Sequence, residues 1–368
     1  MLKVLLINNR PPASGIGVYA TRLFSSLKKV GNAIVFIEYV SWNSLLCEIL
    51  FQKALQVNNV VALYSEEILR IASQSFFILK ISRKFSRFHV CHIVNPALAF
   101  AVPLMMKAKV VTVHDLIPFL RARSITDLFI RKSMNLVKNV ERIICVSENT
   151  KKDLLYFIDV DPKKVSVIYY GVDHELFKPR DKLEARRKLG LPLDRPIILN
   201  VGSEEPRKNI PILLKSFKKL LNDVPNALLV RVGERTAHME KLIRNLDLSN
   251  RVLYRRASLD EVALYYNAAD LLCFPSYYEG FGNPPLEAMA SGLPVIAGNR
   301  TSIPEVVGDA GILLDPFDVD GFAYWMREVL TNEDLRDRLS KAGYKRSMNF
   351  SWEKCAKETL DVYREALE

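Results

Sequence analysis

Glu279 and Glu287 are separated by seven residues in the segment Pro275-Ser-Tyr-Tyr-Glu-Gly-Phe-Gly-Asn-Pro-Pro-Leu-Glu-Ala-Met-Ala-Ser-Gly292. A glycine-bearing loop lies between them and runs into a prolyl helix start. The layout is that of a sugar-nucleotide pocket. The apolar run Asp270-Leu-Leu-Cys-Phe274 predicts a buried strand, Glu279 to Asn283 the loop at its carboxyl end, and Pro285 to Ala290 a short helix with Pro near its first turn. Amides in a first helical turn lack internal partners and favour an anion above the loop.

Three other segments could carry chemistry. Gly202-Ser-Glu-Glu-Pro-Arg-Lys-Asn209 precedes a predicted helix over Ile210 to Leu221, so Arg207 and Lys208 stand where the helix dipole disfavours cations unless an anion joins them. Asn8-Asn-Arg-Pro-Pro-Ala-Ser-Gly-Ile-Gly17 precedes a predicted helix from Val18 to Lys29. Its Gly15 and Gly17 permit close backbone approach to a phosphate or sugar, or simply make a turn; the third glycine of a dinucleotide fingerprint is missing. His114-Asp115 ends the apolar run Val110 to Val113, where a histidine can be structural or can serve a site. Two candidate metal patterns resolve otherwise. Cys91-His92, with His89 nearby, lies in the alternating stretch Phe88 to Val94, which sends neighbours to opposite faces. Asp318-Val-Asp320 follows Asp315-Pro316 at a helix start and reads as capping. No metal site is expected.

The elements that must position these groups alternate short apolar runs with helical patterns, the signature of parallel sheets wrapped by helices. The front strands are expected at Val4 to Asn8, Ala33 to Ile37, Val90 to Val94, Val110 to Val113, Arg142 to Val146 and Val165 to Tyr169. The rear strands are expected at Ile197 to Val201, Leu228 to Val232, Val252 to Tyr254, Leu271 to Phe274, Val295 to Ala297 and Ile312 to Leu314. The fold class is α/β, with two doubly wound domains. The predicted division is residues 1–178, residues 179–350 and a closing amphipathic helix in 351–368. Ser258-Leu-Asp-Glu261 spells a capping box. Ligands of open parallel sheets bind beyond the carboxyl ends of the strands, so two such domains facing each other would hold a substrate between them.

Length and composition support this reading. A chain of 368 residues exceeds one ordinary core, and 49% hydrophobic with 25% charged residues sets aside disordered and fibrous classes. The longest apolar run, Ala97 to Met106, is broken by Pro103 and is too short to span a bilayer; the amino-terminal run is too short for a secretory signal. A cytoplasmic address is expected. Five scattered cysteines, Cys47, Cys91, Cys145, Cys273 and Cys355, form no Cys-x-x-Cys pair and read as core thiols. The net charge of +11 belongs to the front: residues 1–178 hold 24 Lys and Arg against 13 Asp and Glu, and the remainder balances. Basic residues interleave with apolar ones around Lys80 to Arg87 and Arg121 to Lys138. Such stretches suit an anionic membrane surface, or are solvated helix faces. No nucleic-acid module accompanies the charge.

Taken together, these segments resemble the retaining glycosyltransferases of family 4, which have the GT-B fold of two facing Rossmann-like domains with a C-terminal helix crossing back. The resemblance is carried by Glu279 to Glu287, Gly292-Leu-Pro-Val-Ile, Pro304-Glu-Val-Val-Gly-Asp309, Thr112-Val-His-Asp-Leu116, Val146-Ser-Glu-Asn149, Gly171-Val-Asp173 and Pro206-Arg-Lys-Asn209. It implies that Glu279 contacts donor-sugar hydroxyls, that Glu287 holds the ribose, and that Arg207 and Lys208 neutralise the diphosphate. It also implies that amides near Phe281, Gly282 and Asn283 meet sugar or diphosphate, that Gly15 and Gly17 approach from the opposite domain, and that His114 lines the sugar site. Many relatives have a basic residue where Ser203 stands, which leaves more of the charge neutralisation to Arg207. The implied activity is metal-independent transfer of a hexose, mannose or glucose, from a GDP- or UDP-sugar to a lipid-linked or glycan acceptor at the cytoplasmic membrane face. Alternatives are a soluble glucan or disaccharide synthase and a non-catalytic nucleotide-sugar-binding protein. Oligomeric state is unread.

Overall fold

The computed structural model describes residues 2–10, 14–30, 33–39, 82, 85–105, 108–121 and 125–368. Cys47 and, from the basic stretch Lys80 to Arg87, Lys80, Arg83 and Lys84 lie outside them. The chain divides into two compact units, Met1–Tyr170 with Trp352–Glu368, and Gly171–Ser351.

Among the described residues, the first unit has a six-stranded parallel sheet of order β2-β1-β3-β4-β5-β6, with β1 Leu2–Asn8, β2 Ala33–Tyr39, β3 Val90–Ile93, β4 Ala108–Val113, β5 Arg142–Cys145 and β6 Val165–Val167. Val4, Leu5, Leu6 and Ile7 are all fully buried. A strand covered on both faces reads as an unbroken apolar run, which is why this segment does not alternate. The helix Gly15–Val30 buries Gly17, Tyr19, Ala20, Leu23 and Leu27, one stripe at helical spacing. It begins three residues before the expected Val18, because the Ser14 hydroxyl accepts from Gly17 N (3.1 Å) and Val18 N donates to Ser14 O.

The helix Trp352–Glu365 is part of this unit, and a buried polar chain fastens it. The Tyr363 hydroxyl lies 2.7 Å from His92 Nδ1, His92 Nε2 lies 2.7 Å from the Thr112 hydroxyl, and the Tyr19 hydroxyl lies 3.3 Å from Thr112. Burial lowers the His92 pKa to about 3, so the ring is neutral with both nitrogens engaged. Its neighbour Cys91 belongs to the apolar core, while His89 Nδ1 accepts from Lys3 N. The alternation expected of Phe88 to Val94 thus separates the candidate ligands. Among the described residues, no group of three His, Cys, Asp or Glu could hold a metal ion.

The second unit has a six-stranded parallel sheet of order β12-β11-β10-β7-β8-β9: β7 Ile197–Val201, β8 Leu228–Val232, β9 Val252–Arg255, β10 Leu271–Phe274, β11 Val295–Gly298 and β12 Ile312–Leu314. Its first strand pairs with β8 on one side and β10 on the other. Chain direction over the sheet therefore reverses between β7 and β10, which opens a crevice at their carboxyl ends. In the first unit the reversal falls between β1 and β3. Among the described residues, no helix is long and apolar enough to cross a membrane.

Tyr363→Phe would leave a buried His92 nitrogen without its partner. The substitution is expected to lower stability by roughly 1–3 kcal/mol, read as an earlier first transition in urea unfolding; an unchanged midpoint would remove the polar chain from the list of what fastens the closing helix.

Candidate functional site

The reversal between β7 and β10 brings together groups far apart in sequence. The loop after β7 contains Arg207 and Lys208 in the short helical turn Pro206–Lys208, and the loop after β10 contains Glu279. Arg207 Nη1 donates to Glu279 Oε2 and Lys208 Nζ to Glu279 Oε1, both at 2.7 Å. The anion that the helix-start cations require is therefore supplied inside the protein. Glu279 is 6% exposed. Burial pushes its carboxyl up, but the adjacent Lys208 and Arg207 charges outweigh burial and hold it below the ordinary carboxylate range. Burial pulls the Lys208 ammonium down from its usual value, and Glu279 opposes that shift.

Backbone contacts lock both loops. Tyr277 N donates to Arg207 O (2.9 Å), and Arg207 Nη1 also reaches Tyr278 O (3.2 Å). Arg207 Nε donates to Glu205 at 2.7 Å. Glu279 N donates to the Thr301 hydroxyl (3.0 Å), while the Ser302 hydroxyl donates to Glu279 O and Phe281 O at 2.9 and 2.7 Å. Gly282 caps the helix Asn283–Ala290 at φ 117°, a conformation that favours glycine. Pro284 and Pro285 fill the next positions and carry no N–H. Of residues 282–285, Gly282 and Asn283 are thus the ones that carry an N–H.

Glu287 projects from the same helix and accepts from the Tyr266 hydroxyl at 2.8 Å. Burial lifts its carboxyl to about 7, against the opposing effect of the Tyr266 hydrogen bond. Asp318, the first acid of the Asp-x-Asp pattern, accepts from Gly321 N (2.8 Å) as a helix cap, and Asp320 pairs with Lys219. Capping explains the pattern.

His114, Gly15 and Gly17 belong to the first unit. His114 is 5% exposed; its Nε2–H donates to Val94 O (2.6 Å) and its Nδ1 accepts from the Tyr170 hydroxyl. Burial lowers its pKa to about 4. A neutral imidazole with both nitrogens occupied orients its surroundings and is not a proton acceptor in this state. Gly15 and Gly17 both lie in the first turn of the helix Gly15–Val30, and a side chain added at Gly15 would meet open space.

Residues 13–176 match the Glycosyltransferase Family 4 description and residues 181–346 match Glycosyl transferases group 1. The chain is 30% identical to the O-antigen chain mannosyltransferase B of Escherichia coli over 281 residues, 72% of each chain. The chain belongs to the family 4 glycosyltransferases. A D-inositol 3-phosphate glycosyltransferase of Nocardioides sp. is 34% identical over 62% of this chain, a match that spans 55% of that relative's length. Among solved structures, the sucrose-phosphate synthase of Thermosynechococcus elongatus has a TM-score of 0.77 at 22% identity, covering 99% of this chain and 98% of that one. Anabaena HepE, in complex with UDP and glucose, has a TM-score of 0.78 at 18% identity, covering 98% and 99%. At these identities the likeness speaks for the fold, which is GT-B with two Rossmann-like lobes.

In this family 4 glycosyltransferase three polar partners left no local signal: Tyr266 beside Glu287 and Glu205 beside Arg207 in the second unit, and Tyr170 beside His114 in the first. Each partner is chosen by tertiary placement. Because the Glu287 carboxyl is raised from 4.5 to about 7, its contribution to stability is fully present below about pH 4.5 and is lost as pH rises through about 7. Glutamine cannot ionise. Glu287→Gln should therefore gain melting temperature relative to the parent protein as pH is raised from about 4.5 to 8; a difference that does not change with pH would contradict the assignment.

Proposed function

We propose that this chain transfers a hexose, mannose or glucose, from a GDP- or UDP-sugar to a glycan or lipid-linked acceptor, with retention of configuration and without a metal ion. The reading rests on one observation: two cations and a carboxylate converge at the topological reversal of the second unit, within a chain of this family. Breaking the bond between the anomeric carbon and the phosphate oxygen leaves negative charge on the departing diphosphate. Lys208 and Arg207 supply fixed positive charge to stabilise it, helped by the Gly282 and Asn283 amides. Glu279 is released to accept from sugar hydroxyls, and Glu287 accepts from the ribose. The acceptor oxygen bonds to the anomeric carbon on the face the diphosphate leaves, and a diphosphate oxygen takes the acceptor's proton. His114, with both nitrogens engaged, acts by orientation and not by moving a proton. Asp318 and Asp320 are both engaged elsewhere, and protein cations do the work a divalent ion would do.

Membrane contact is supported by the basic front half and by Leu120 and Leu128, 53% and 54% exposed. Part of the basic stretch has a structural use, since Arg131 donates to the carbonyls of Pro118 (2.8 Å) and Phe119. The expected setting is peripheral, at the cytoplasmic face.

Thermal melts with UDP, GDP and ADP and their sugars should show stabilisation by a uridine or guanosine series, since a ligand of the folded state raises the melting temperature. With the donor so identified, Lys208→Ala should lower kcat by on the order of 10²- to 10³-fold, the loss of one preorganised charge at the leaving group. A variant with parental kcat would remove Lys208 from the reaction.

A further inference from the structure

A second buried charge cluster stands on the opposite side of β7 from Glu279. Arg231 of β8 is fully buried, and its Nη1 donates to Asn200 Oδ1 of β7. Its Nη2 lies 3.4 Å from Gly202 O and 3.8 Å from Glu204 Oε1, while its Nε is buried without a partner. The Glu204 side chain is 1% exposed. Its Oε2 accepts from Thr236 N at 2.7 Å, and its Oε1 accepts from the Tyr254 hydroxyl. Glu204 lies in the loop after β7, Thr236 caps the helix after β8, and Tyr254 is near the end of β9. One carboxylate thus ties together the carboxyl ends of three adjacent strands. Arg231 and Arg235 lie 5.6 and 5.5 Å from the Tyr254 ring, adding two guanidinium contacts to the same side chain.

The loops are also in backbone contact. Gly202 N donates to Val232 O and Gly233 N to Arg255 O, both at 2.9 Å, and a side-chain carbon at Gly233 would fall 2.2 Å from Gly202 O. Such closeness tolerates no slack. A buried ion pair is a poor source of net stability, and its best-attested use is to fix registry. The registry fixed here is that of the rim beyond Arg207 and Lys208, which follow Glu204 by three and four residues.

On the proposed reading, the sugar lies at Glu279 on the β10 side of β7. The ribose is taken by Glu287 on the helix that follows β10, so it is the base, extending from the ribose, that meets the rim of β7, β8 and β9 on the other side. We infer that Glu204, clamped by buried Arg231 and joined to Tyr254 and Thr236, is a positioning residue that sets this rim for the base and so governs donor affinity and not the chemical step. The inference rests on the donor reading above. Arg207 and Lys208 are held separately, by Glu205, Glu279 and the Tyr278 carbonyl, so diphosphate binding does not depend on the Glu204 clamp.

Calorimetric binding of UDP, GDP and inorganic pyrophosphate to the full chain separates these roles, using Glu204→Gln and Tyr254→Phe. The second variant keeps the Glu204–Arg231 pair and guards against failure of the first to fold. Each should weaken the preferred nucleoside diphosphate at least about 10-fold and pyrophosphate less than about 2-fold. Each should also raise donor KM while leaving kcat within about 3-fold. Equal weakening of nucleotide and pyrophosphate, a fall confined to kcat, or no effect in Tyr254→Phe would overturn the assignment. If the parent protein binds pyrophosphate but neither nucleotide, the donor reading fails first and this inference falls with it.

Discussion

The arrangement turns on a carboxylate shared by two cations where little water reaches. Glu279 holds Arg207 and Lys208 at 2.7 Å each, on side chains that are 9%, 21% and 11% exposed. Charges removed this far from water must be neutralised locally, and loss of one member of such a group typically costs about 3–5 kcal/mol. Without ligand, Glu279 meets that demand. On the proposed reading, a diphosphate arriving at the same cations supplies new negative charge and loosens their hold on Glu279, which is then free to accept from sugar hydroxyls. The three charges at rest keep the cations oriented and the carboxylate ionised.

This meeting is possible because of the sheet order. Arg207 and Glu279 are 72 residues apart, and they converge because β10 returns to the side of β7 that β8 and β9 leave open. Ser302, Thr301 and Tyr277 then fix the loops by hydrogen bonds, so the site is carried by strand ends and not by long mobile segments. The first unit repeats the device between β1 and β3, and the helix that begins at Gly15 and Gly17 follows β1. There the Tyr363–His92–Thr112 chain fastens the closing helix to the sheet.

Much of the scaffold was legible in the sequence because buried parallel strands are written as apolar runs. The twelve expected strands correspond to the twelve found among the described residues, with ends shifted by a few residues where pairing partners continue or stop. The capping box at Ser258 and the cap at Asp318 were legible for the same reason: both are local hydrogen-bonding patterns. Long-range partners were not legible. The misplaced dipole of Arg207 and Lys208 announced an anion, but nothing in the flanking residues named Glu279 as that anion. Nor did any spacing join Tyr266 to Glu287 or Glu204 to Tyr254. The first turn of the helix after Gly282 also differs from its simple expectation, since two prolines there reduce the amides that can face an anion.

A structure of the protein crystallised with the nucleoside diphosphate that stabilises it tests the shared carboxylate most directly. The account predicts phosphate oxygens within hydrogen-bond distance of Lys208 Nζ and the Arg207 guanidinium, and a Glu279 carboxylate that has let go of at least one of them. A diphosphate bound elsewhere, or bound there with both Glu279 contacts intact, would contradict it.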